Sequence, residues 1–311
     1  CPVCVLPIGR IDQAIELALE HRVILATYAD TMRVPASGGR SLFQCRAAGG
    51  DVRMVYSPSD ALKLARENPD REVVFFAIGF ETTTPPTAAV VKQAEAENLT
   101  NFTVFCSHVL TPAAMEHILL TAPSRPDAPV LDGLVGPAHV STVIGSNPYL
   151  PFAEKWGKPV VVAGFEPLDM LMAIEMLVRQ VNEGRAEVEN EFSRAVTPEG
   201  NVKAQALMRE VFEVRDAFEW RGLGTVPKSA LKLREAYARF DAEKRFELKE
   251  RHVADNKACS CGAILRGEKT PEQCVLFGTV CTPQHPIGAC MVSSEGACAA
   301  AWAYGRRTSA S

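Results

Sequence analysis

The stretch Val73-Val-Phe-Phe-Ala-Ile-Gly79-Phe-Glu81-Thr82 is an unbroken apolar run that ends in a glycine and a carboxylate. A short apolar run bounded by turn residues is typical of a strand that is buried on both faces of a parallel sheet. A second stretch, Val160-Val-Val-Ala-Gly164-Phe-Glu166-Pro167, repeats this order. We interpret the two as equivalent strand ends in two related α/β lobes, at the edge where open parallel sheets bind ligands. Chance is the alternative, because strand–glycine–helix junctions are common.

Apolar strands and amphipathic helices alternate around these two stretches, which predicts an α/β fold with mainly parallel sheets covered by helices. Further strands are predicted at residues 23–27, 52–56, 103–106 and 134–135, and helices at 11–20, 57–67, 86–98, 112–121 and 167–182. After residue 185, amphipathic spacing over Ala204–Phe218 and Ala230–Phe240 predicts a helical connector. The chain then ends in a turn-rich, cysteine-rich segment, which needs another source of order, such as a metal.

The composition excludes several classes of protein. A chain of 311 residues with 47% hydrophobic and 23% charged residues is an ordinary globular sequence of two or three domains. Its net charge of −4 gives no basic footprint for nucleic acid or an anionic membrane surface. No apolar stretch is long enough to span a bilayer, and no signal peptide opens the sequence. We therefore expect a cytoplasmic protein without nucleic-acid or membrane partners.

The ten cysteines are clustered rather than spread along the chain. Two form Cys1-Pro-Val-Cys4, whereas Cys45 and Cys106 stand alone. Clustered cysteines in a large chain without a signal peptide point to metal and redox chemistry in a reducing compartment, not to a disulfide framework. The other six lie within 40 residues: Cys259, Cys261, Cys274, Cys281, Cys290 and Cys298.

The C-terminal cysteines predict a metal site whose type the spacing leaves open. Structural zinc sites usually take their ligands from closely spaced Cys-x2-4-Cys pairs, whereas these gaps are long. An iron–sulfur cluster can collect thiolates from dispersed loops, so the spacing favours it over zinc. Unliganded structural cysteines are the third interpretation. The four most suitable ligands are Cys261, Cys274, Cys281 and Cys298, with Cys259 and Cys290 as spares.

The N-terminal Cys-x-x-Cys pair and several polar residues are further candidates. Cys1 and Cys4 could form a redox or metal-handling pair, half of a zinc site, or an incidental pair. Glu81 and Glu166 follow buried strands, where a carboxylate can orient a ligand, accept a proton or cap the next helix. The remaining candidates are polar residues for which a structural role is the default: His108, His139 and the loop pair Asp30 and Arg33.

Taken together, these motifs resemble the HypD family, whose members help to build the Fe(CN)2CO group of [NiFe] hydrogenases. The resemblance runs through essentially the whole chain. It is carried by Cys1-Pro-Val-Cys-Val-Leu-Pro-Ile-Gly-Arg10, Gly79-Phe-Glu-Thr-Thr83, Gly164-Phe-Glu-Pro-Leu-Asp169, Glu219-Trp-Arg-Gly-Leu-Gly224 and the terminal segment Cys261–Cys298 with its Met291-Val-Ser-Ser-Glu-Gly-Ala-Cys298.

The resemblance implies a hydrogenase maturation scaffold with a redox step. Cys1 and Cys4 would form a thiol–disulfide couple at a cleft between the lobes, near Glu81. Iron carrying CN and CO would bind transiently, with the small chaperone HypC and the cyanide donor HypE as partners. A [4Fe–4S] cluster would be held by Cys261, Cys274, Cys281 and Cys298, whereas Cys259 and Cys290 would be non-ligands.

We further expect three parts: residues 1–67 with 158–184 as the first α/β lobe, 68–157 as the second, facing it across a cleft, and 185–311 as the helical connector and cluster domain. The family also has a segment before the redox pair, with a Cys-Gly-Gly-His-Thr-His loop that contributes to iron binding. Because the sequence begins at Cys1, we expect these residues alone not to complete the iron site or the first sheet. The rival functions are a cluster-fed thiol–disulfide oxidoreductase and a zinc-bound interaction module.

Overall fold

A computed structural model describes residues 1–121 and 131–305, and it has an α/β fold with parallel sheets, as predicted. None of the helices in these ranges is long and apolar enough to cross a membrane. The helices are α1 (Ile8–Leu19), α2 (Leu42–Ala47), α3 (Pro58–Glu67), α4 (Thr84–Ala96), α5 (Thr111–Leu120), α6 (Ala138–Ile144), α7 (Leu150–Trp156), α8 (Pro167–Asn182), α9 (Val202–Val211), α10 (Ala242–Arg245), α11 (Cys261–Leu265) and α12 (Ala297–Tyr304). The strands are β1 (Ile24–Thr27), β2 (Val52–Met54), β3 (Val73–Gly79), β4 (Phe102–His108), β5 (Leu134–Pro137), β6 (Val160–Ala163), β7 (Val188–Asn190), β8 (Phe212–Val214), β9 (Ala217–Trp220), β10 (Gly224–Pro227) and β11 (Leu231–Leu233).

The chain divides into two compact units. Unit 1 comprises Cys1–Gly79, Pro86–Val109 and the described part of Val211–Ser311, and unit 2 comprises Phe80–Pro85 and Leu110–Glu210. The main sheet of unit 1 is parallel with the strand order β2-β1-β3-β4. Every residue of β3 and β4 is buried, because helices and loops cover both faces of the sheet.

Unit 2 contains the second parallel sheet, in the order β5-β6-β7. Alternate residues of β6 point to opposite faces of this sheet. Val160 and Val162 pack with α7, and Val161 and Ala163 pack with α8. Each of the two Gly-Phe-Glu stretches therefore follows a central strand of a different parallel sheet.

The predicted lobe boundaries differ from this strand pairing. β3 and β4 fall in the predicted second lobe, but they pair with β1 in one sheet. β6 was expected to return to the first lobe, but it pairs with β5 and β7. The prediction is wrong on both points, because an apolar run reveals that a strand is buried and not which strands flank it. Residues 122–130 and 306–311 of the predicted second and third parts lie outside the described residues.

The predicted helical connector is only partly helical. α9 ends at Val211, and the residues that follow form short antiparallel pairs, β8 with β11 and β9 with β10. β11 buries alternate residues, and a period of two is the strand pattern. The helix prediction is therefore wrong for residues 212–218 and 231–233, where strand pairing overrides a helix-like composition, whereas Glu235–Phe240 forms a 3-10 helix.

A half-buried carboxylate joins α1 to the strands of unit 1. Glu243 accepts hydrogen bonds from Nη2 of Arg10 and Nη2 of Arg215, both at 2.6 Å. The Arg10 guanidinium also donates to the backbone carbonyl of Cys106 and stacks on the ring of Phe105. Burial alone would raise the pKa of Glu243, but the two guanidinium groups lower it to about 2.

We predict that Glu243→Gln destabilises the protein by about 3 kcal/mol at neutral pH, because it leaves two guanidinium groups without their anion. The folded-state pKa lies below the ordinary value of 4.5, so this stabilisation is present above that value and is lost as pH falls towards about 2. Urea unfolding of both proteins at neutral and acidic pH measures the effect. The matched control is Glu235→Gln, an exposed carboxylate that pairs with Lys244. A loss under about 1 kcal/mol at neutral pH would contradict the prediction.

Candidate functional site

Eight of the ten cysteines pack into one cluster in unit 1, which we call the cysteine cluster. It joins the two ends of the sequence, because the N-terminal pair packs among the cysteines of the C-terminal segment. Cys45 and Cys106 lie outside it, on α2 and β4. All ten are free thiols. The members of the cluster are Cys1, Cys4, Cys259, Cys261, Cys274, Cys281, Cys290 and Cys298.

The N-terminal pair is set by a single turn of 3-10 helix, Pro2–Val5, which Cys1 precedes and which contains Cys4. Proline at the first position suits the start of a helical turn, and the Cys4 amide donates to the Cys1 carbonyl at 3.2 Å. Cys4 is buried, whereas Cys1 is half-buried. A hydrogen bond with the Cys290 thiol lowers the pKa of Cys4, and burial only partly opposes it. The sequence therefore presents one shielded thiol of increased acidity beside a more accessible one.

The motif around Trp220 holds this turn against the C-terminal segment. The Arg221 amide donates to the Val5 carbonyl at 2.8 Å, and the buried Arg221 side chain binds Asp255 at 2.8 Å and the Pro35 carbonyl at 3.0 Å. Gly222 has a φ of 79°, a left-handed conformation that favours glycine, and its carbonyl lies against Gly262. The motif Glu219–Gly224 therefore serves to position the N-terminal turn, a role that its spacing in the sequence did not reveal.

Cys290 is the residue whose position sequence analysis missed. It is fully buried and makes hydrogen bonds with Cys4 on one side and Cys261 on the other. These two contacts, with Cys261 first, raise the pKa of Cys290, so it holds its proton and donates. In the sequence, the one indication that Cys290 would be buried was the apolar run Ala289–Val292, whose first and last residues pack into the core of unit 1.

The side chains of Cys259 and Cys261 lie next to each other in the cysteine cluster. Their Sγ atoms lie 3.3 Å apart, and Cys261 also makes hydrogen bonds with Cys290 and Cys298. These thiols, with Cys259 first, lower the pKa of Cys261. Gly288 packs directly on the pair, since a Cβ there would lie 2.5 Å from the Cys261 sulfur and 2.8 Å from the Cys259 sulfur.

Backbone amides surround two other thiols. Burial would raise the pKa of Cys274, but hydrogen bonds from Ser260 and the amides of Leu276 and Phe277 hold it below its ordinary value. The Ile287 amide donates to the Cys281 sulfur at 3.4 Å. Amide donors that point at sulfur stabilise a thiolate, as they do around protein-bound iron–sulfur clusters.

The thiols do not converge on one point. Within residues 1–121 and 131–305, no three His, Cys, Asp or Glu side chains are arranged around the position of a single ion. A four-iron cluster has a different requirement, because each thiolate binds its own iron instead of sharing a single ion. The donor set, the amide donors and the Gly288 contact fit such a group.

Glu81 lies in unit 2, whereas the cysteine cluster lies in unit 1. Its side chain is 2% exposed and accepts hydrogen bonds from the amide and the hydroxyl of Thr111, at 2.8 and 2.9 Å. Burial raises the pKa of Glu81 to about 7, although these hydrogen bonds oppose the shift. A carboxyl group with this pKa can gain or lose a proton near neutral pH.

The other candidates have ordinary surroundings. Glu166 is exposed and lies 3.7 Å from Arg194, and His139 stacks on Phe165 at the surface of unit 2. His108 is buried on β4 with Nε2 3.0 Å from the Thr87 hydroxyl, and burial lowers its pKa to about 4. Arg33, the predicted partner of Asp30, donates to the Pro283 carbonyl.

Comparison with known proteins identifies the family. The family model described as "HypD: Hydrogenase formation hypA family" matches residues 1–305. The chain belongs to the HypD family of hydrogenase maturation factors. The resemblance that the motifs carried is therefore confirmed.

Curated HypD proteins align with essentially the whole chain. The hydrogenase expression/formation protein HupD of Azotobacter chroococcum mcd 1 is 66% identical over 310 residues, which cover 100% of this chain and 82% of that protein. The hydrogenase maturation factor HypD of Azotobacter vinelandii is 64% identical with the same coverage. The HypD of Escherichia coli K12 is 48% identical, covering 99% of this chain and 81% of its own length.

We predict that Glu81→Gln stabilises unit 2 increasingly as pH rises. The folded-state pKa of about 7 exceeds the ordinary value of 4.5. The contribution of Glu81 to the free energy of unfolding is therefore complete below pH 4.5 and is lost as pH rises through 7. Glutamine imitates the neutral acid, because its Oε1 can accept from the Thr111 amide while its Nε2 donates to the Thr111 hydroxyl. The difference in unfolding free energy between variant and wild type should therefore grow by about 2–3 kcal/mol from acidic to alkaline pH.

Chemical denaturation across that pH range measures the difference. Glu116→Gln, an exposed carboxylate of unit 2, is the control and should give a flat difference. A flat difference for Glu81→Gln as well would show that this carboxyl titrates normally.

Proposed function

We propose that this chain is a redox-active scaffold that, with HypC, binds iron and assembles the Fe(CN)2CO group of the [NiFe] hydrogenase active site. The observation that carries the proposal is the packing of Cys1 and Cys4 among the cysteines of the C-terminal segment. A thiol pair thereby stands beside a donor set that fits an iron–sulfur cluster. Family membership supplies the pathway in which this chemistry is used.

The resident group in this proposal is a [4Fe–4S] cluster on Cys274, Cys281, Cys298 and one member of the pair Cys259 and Cys261. The family resemblance favours Cys261, whereas the 3.3 Å contact makes the half-buried Cys259 the adjacent alternative. When bound, such a cluster supplies single electrons in a site shielded from water.

Cys1 and Cys4 would be the thiol–disulfide couple. Oxidation of the two thiols forms one S–S bond and releases two electrons and two protons, and reduction reverses this. The lowered pKa of Cys4 favours this exchange, because the thiolate is the nucleophile. Cys290 donates a hydrogen bond to Cys4 and thereby holds the sulfur in place.

Iron and its diatomic ligands are the cargo, not a resident cofactor. In this proposal HypC shares the iron with the scaffold, and HypE delivers cyanide. Glu81 would accept or return protons during assembly, since its pKa of about 7 suits both directions. The rival proposal is a thiol–disulfide oxidoreductase that reduces a small molecule, which the half-buried position of Cys1 favours.

We predict about four iron and four sulfide per chain after anaerobic purification. Cys274→Ser, Cys281→Ser and Cys298→Ser should each lose most of this content, because a hydroxyl is a poor ligand for iron in such a cluster. Iron and sulfide analysis with absorption spectra measures the loss. Cys45→Ser, outside the cysteine cluster, is the matched control. Cys259→Ser and Cys261→Ser assign the fourth ligand, and a colourless protein with one zinc would overturn the cluster.

We further predict that Cys1→Ala keeps the cluster but loses hydrogenase maturation in cells. Maturation should be lost because the thiol couple needs both sulfur atoms, and the cluster should remain because its proposed ligands do not include Cys1. Capture of HypC by the full-length protein distinguishes the maturation scaffold from the rival thiol–disulfide oxidoreductase. A full-length chain that binds no HypC, yet reduces small disulfides, would favour the oxidoreductase.

A further inference from the structure

A cavity of about 270 Å³ opens in unit 1 beside the two guanidinium groups that share Glu243. Arg10 and Arg215 line it, and the ring of Phe218 forms a wall, with its centroid 5.7 Å from each guanidinium carbon. The two arginine side chains are only 10% and 17% exposed, so they form the floor of the cavity. Glu250 also lines it but is 80% exposed, so it lies at the mouth. The floor of the cavity is therefore basic.

The buried charges of this floor do not balance. Arg10 and Arg215 carry two positive charges, and Glu243 supplies one negative charge to both. Asp241 is a further buried carboxyl group, but it accepts from the Glu243 amide, and burial raises its pKa. Glu219 lines the cavity and binds a histidine ring at 2.9 Å. One guanidinium charge is thus left without a carboxylate, which is a costly state for a buried ion. The other charged lining residues are exposed or belong to surface ion pairs: Asp216, Lys232 and Arg251.

Arg10 keeps one nitrogen for a ligand. Its Nε donates to the Ser107 hydroxyl and its Nη2 to Glu243 and the Cys106 carbonyl, whereas Nη1 has no partner among the described residues. The guanidinium is fixed by stacking on Phe105, 3.8 Å from the ring centroid. Buried N–H groups are almost always hydrogen-bonded, so Nη1 requires an acceptor that enters through the cavity.

Arg215 adds a second donor. Its Nη1 makes one hydrogen bond in the described part of the chain, to Glu243 at 3.1 Å, and so keeps one N–H. A guanidinium binds charged oxygens more strongly than neutral acceptors, and its planar fork suits two oxygens at once. The chemistry of the floor therefore matches an oxyanion better than a neutral molecule.

We propose that this cavity is a binding site for a small oxyanion, a carboxylate or a phosphate, held by Nη1 of Arg10 and Nη1 of Arg215. Its volume of about 270 Å³ suits a small ion or metabolite, since sites for drug-sized ligands occupy about 300–1,000 Å³. The bound anion would supply the missing negative charge and hold α1 against β4. Because α1 follows the turn that contains Cys4, the anion would also help to fix the N-terminal pair. The inference goes beyond the proposed function and depends neither on a cluster nor on HypC.

Binding is measured on the full-length protein with inorganic phosphate and, separately, acetate as probes, by titration calorimetry at an ionic strength kept constant with chloride. We expect one site with a dissociation constant of about 1 mM or tighter for at least one probe. The tighter probe assigns the source of the oxyanion, a phosphate or a carboxylate. Dissociation constants above about 10 mM for both probes would overturn the inference.

Two substitutions of Ala217 form a matched pair. Ala217 is exposed and lines the cavity, so a larger side chain there does not disturb the core. Ala217→Asp brings a negative charge to the cavity and should weaken binding about ten-fold or more, because it competes for the same guanidinium groups. Ala217→Asn has the same size without the charge, and it should bind within about three-fold of wild type. Equal binding by the two variants would show that the anion is not held in this cavity.

Glu243→Gln gives a second measurement, because it removes the anion that the two guanidinium groups share. The tighter probe should then raise the unfolding midpoint of Glu243→Gln more than that of Glu235→Gln at equal ionic strength. Phosphate also stabilises proteins by exclusion from their surface, so equal gains for both variants would reveal only that general effect and contradict the site. If Glu243→Gln does not fold, the Ala217 pair decides. Iron content, sulfide content and HypC capture are measured separately, so failure of this inference leaves the proposed function intact.

Discussion

The burial of many sulfur atoms in one place is the constraint on which the functional site depends. Buried thiolates repel one another and lack water, so a dry cluster of thiols must share protons, accept amide hydrogen bonds or bind metal. The cysteine cluster uses the first two devices. Cys261 makes hydrogen bonds with three neighbouring thiols, and the single proton of Cys290 is shared between Cys261 and Cys4. Cys274 and Cys281 receive backbone amides instead. This arrangement favours thiolates at a few defined positions.

The surrounding fold serves to bring those sulfur atoms together. The turn with Cys1 and Cys4 would have no fixed place without its contacts, since a single 3-10 turn is not stable alone. The Arg221 amide supplies one of them through the Val5 carbonyl, and the burial of Val3 in the core supplies another, while Asp255 neutralises the Arg221 side chain. A buried guanidinium with several acceptors costs less than one without, so this residue cannot be replaced by lysine without loss of contacts. The N-terminal pair is thus positioned by residues that carry no redox chemistry.

Sequence patterns predicted those features that local chemistry determines. The buried runs of β3 and β6 follow from their apolar composition, and the bounds of α8 follow from its apolar period and the proline at its start. Ser57 and Asp60 form a capping box at the start of α3. The packing of the C-terminal cysteines into one cluster was also foreseeable, because their grouping in the sequence is itself a local feature. Strand neighbours were not predictable, since β3 and β6 have similar sequences but join different sheets. Nor was Cys290, whose importance arises only from the sulfur atoms that flank it.

The two Gly-Phe-Glu stretches show how far a local pattern reaches. Both follow a central strand of a parallel sheet, so the repeated sequence gives the same backbone position twice. The surroundings of the two carboxyl groups nevertheless differ, because Glu81 is buried against Thr111 whereas Glu166 is exposed to solvent beside Arg194. Desolvation, which depends on residues far along the chain, moves the pKa of Glu81 into the neutral range, whereas Glu166 stays in solvent next to Arg194. One sequence pattern therefore yields a buried carboxyl group that can exchange a proton near neutral pH in one place and an exposed carboxylate in the other.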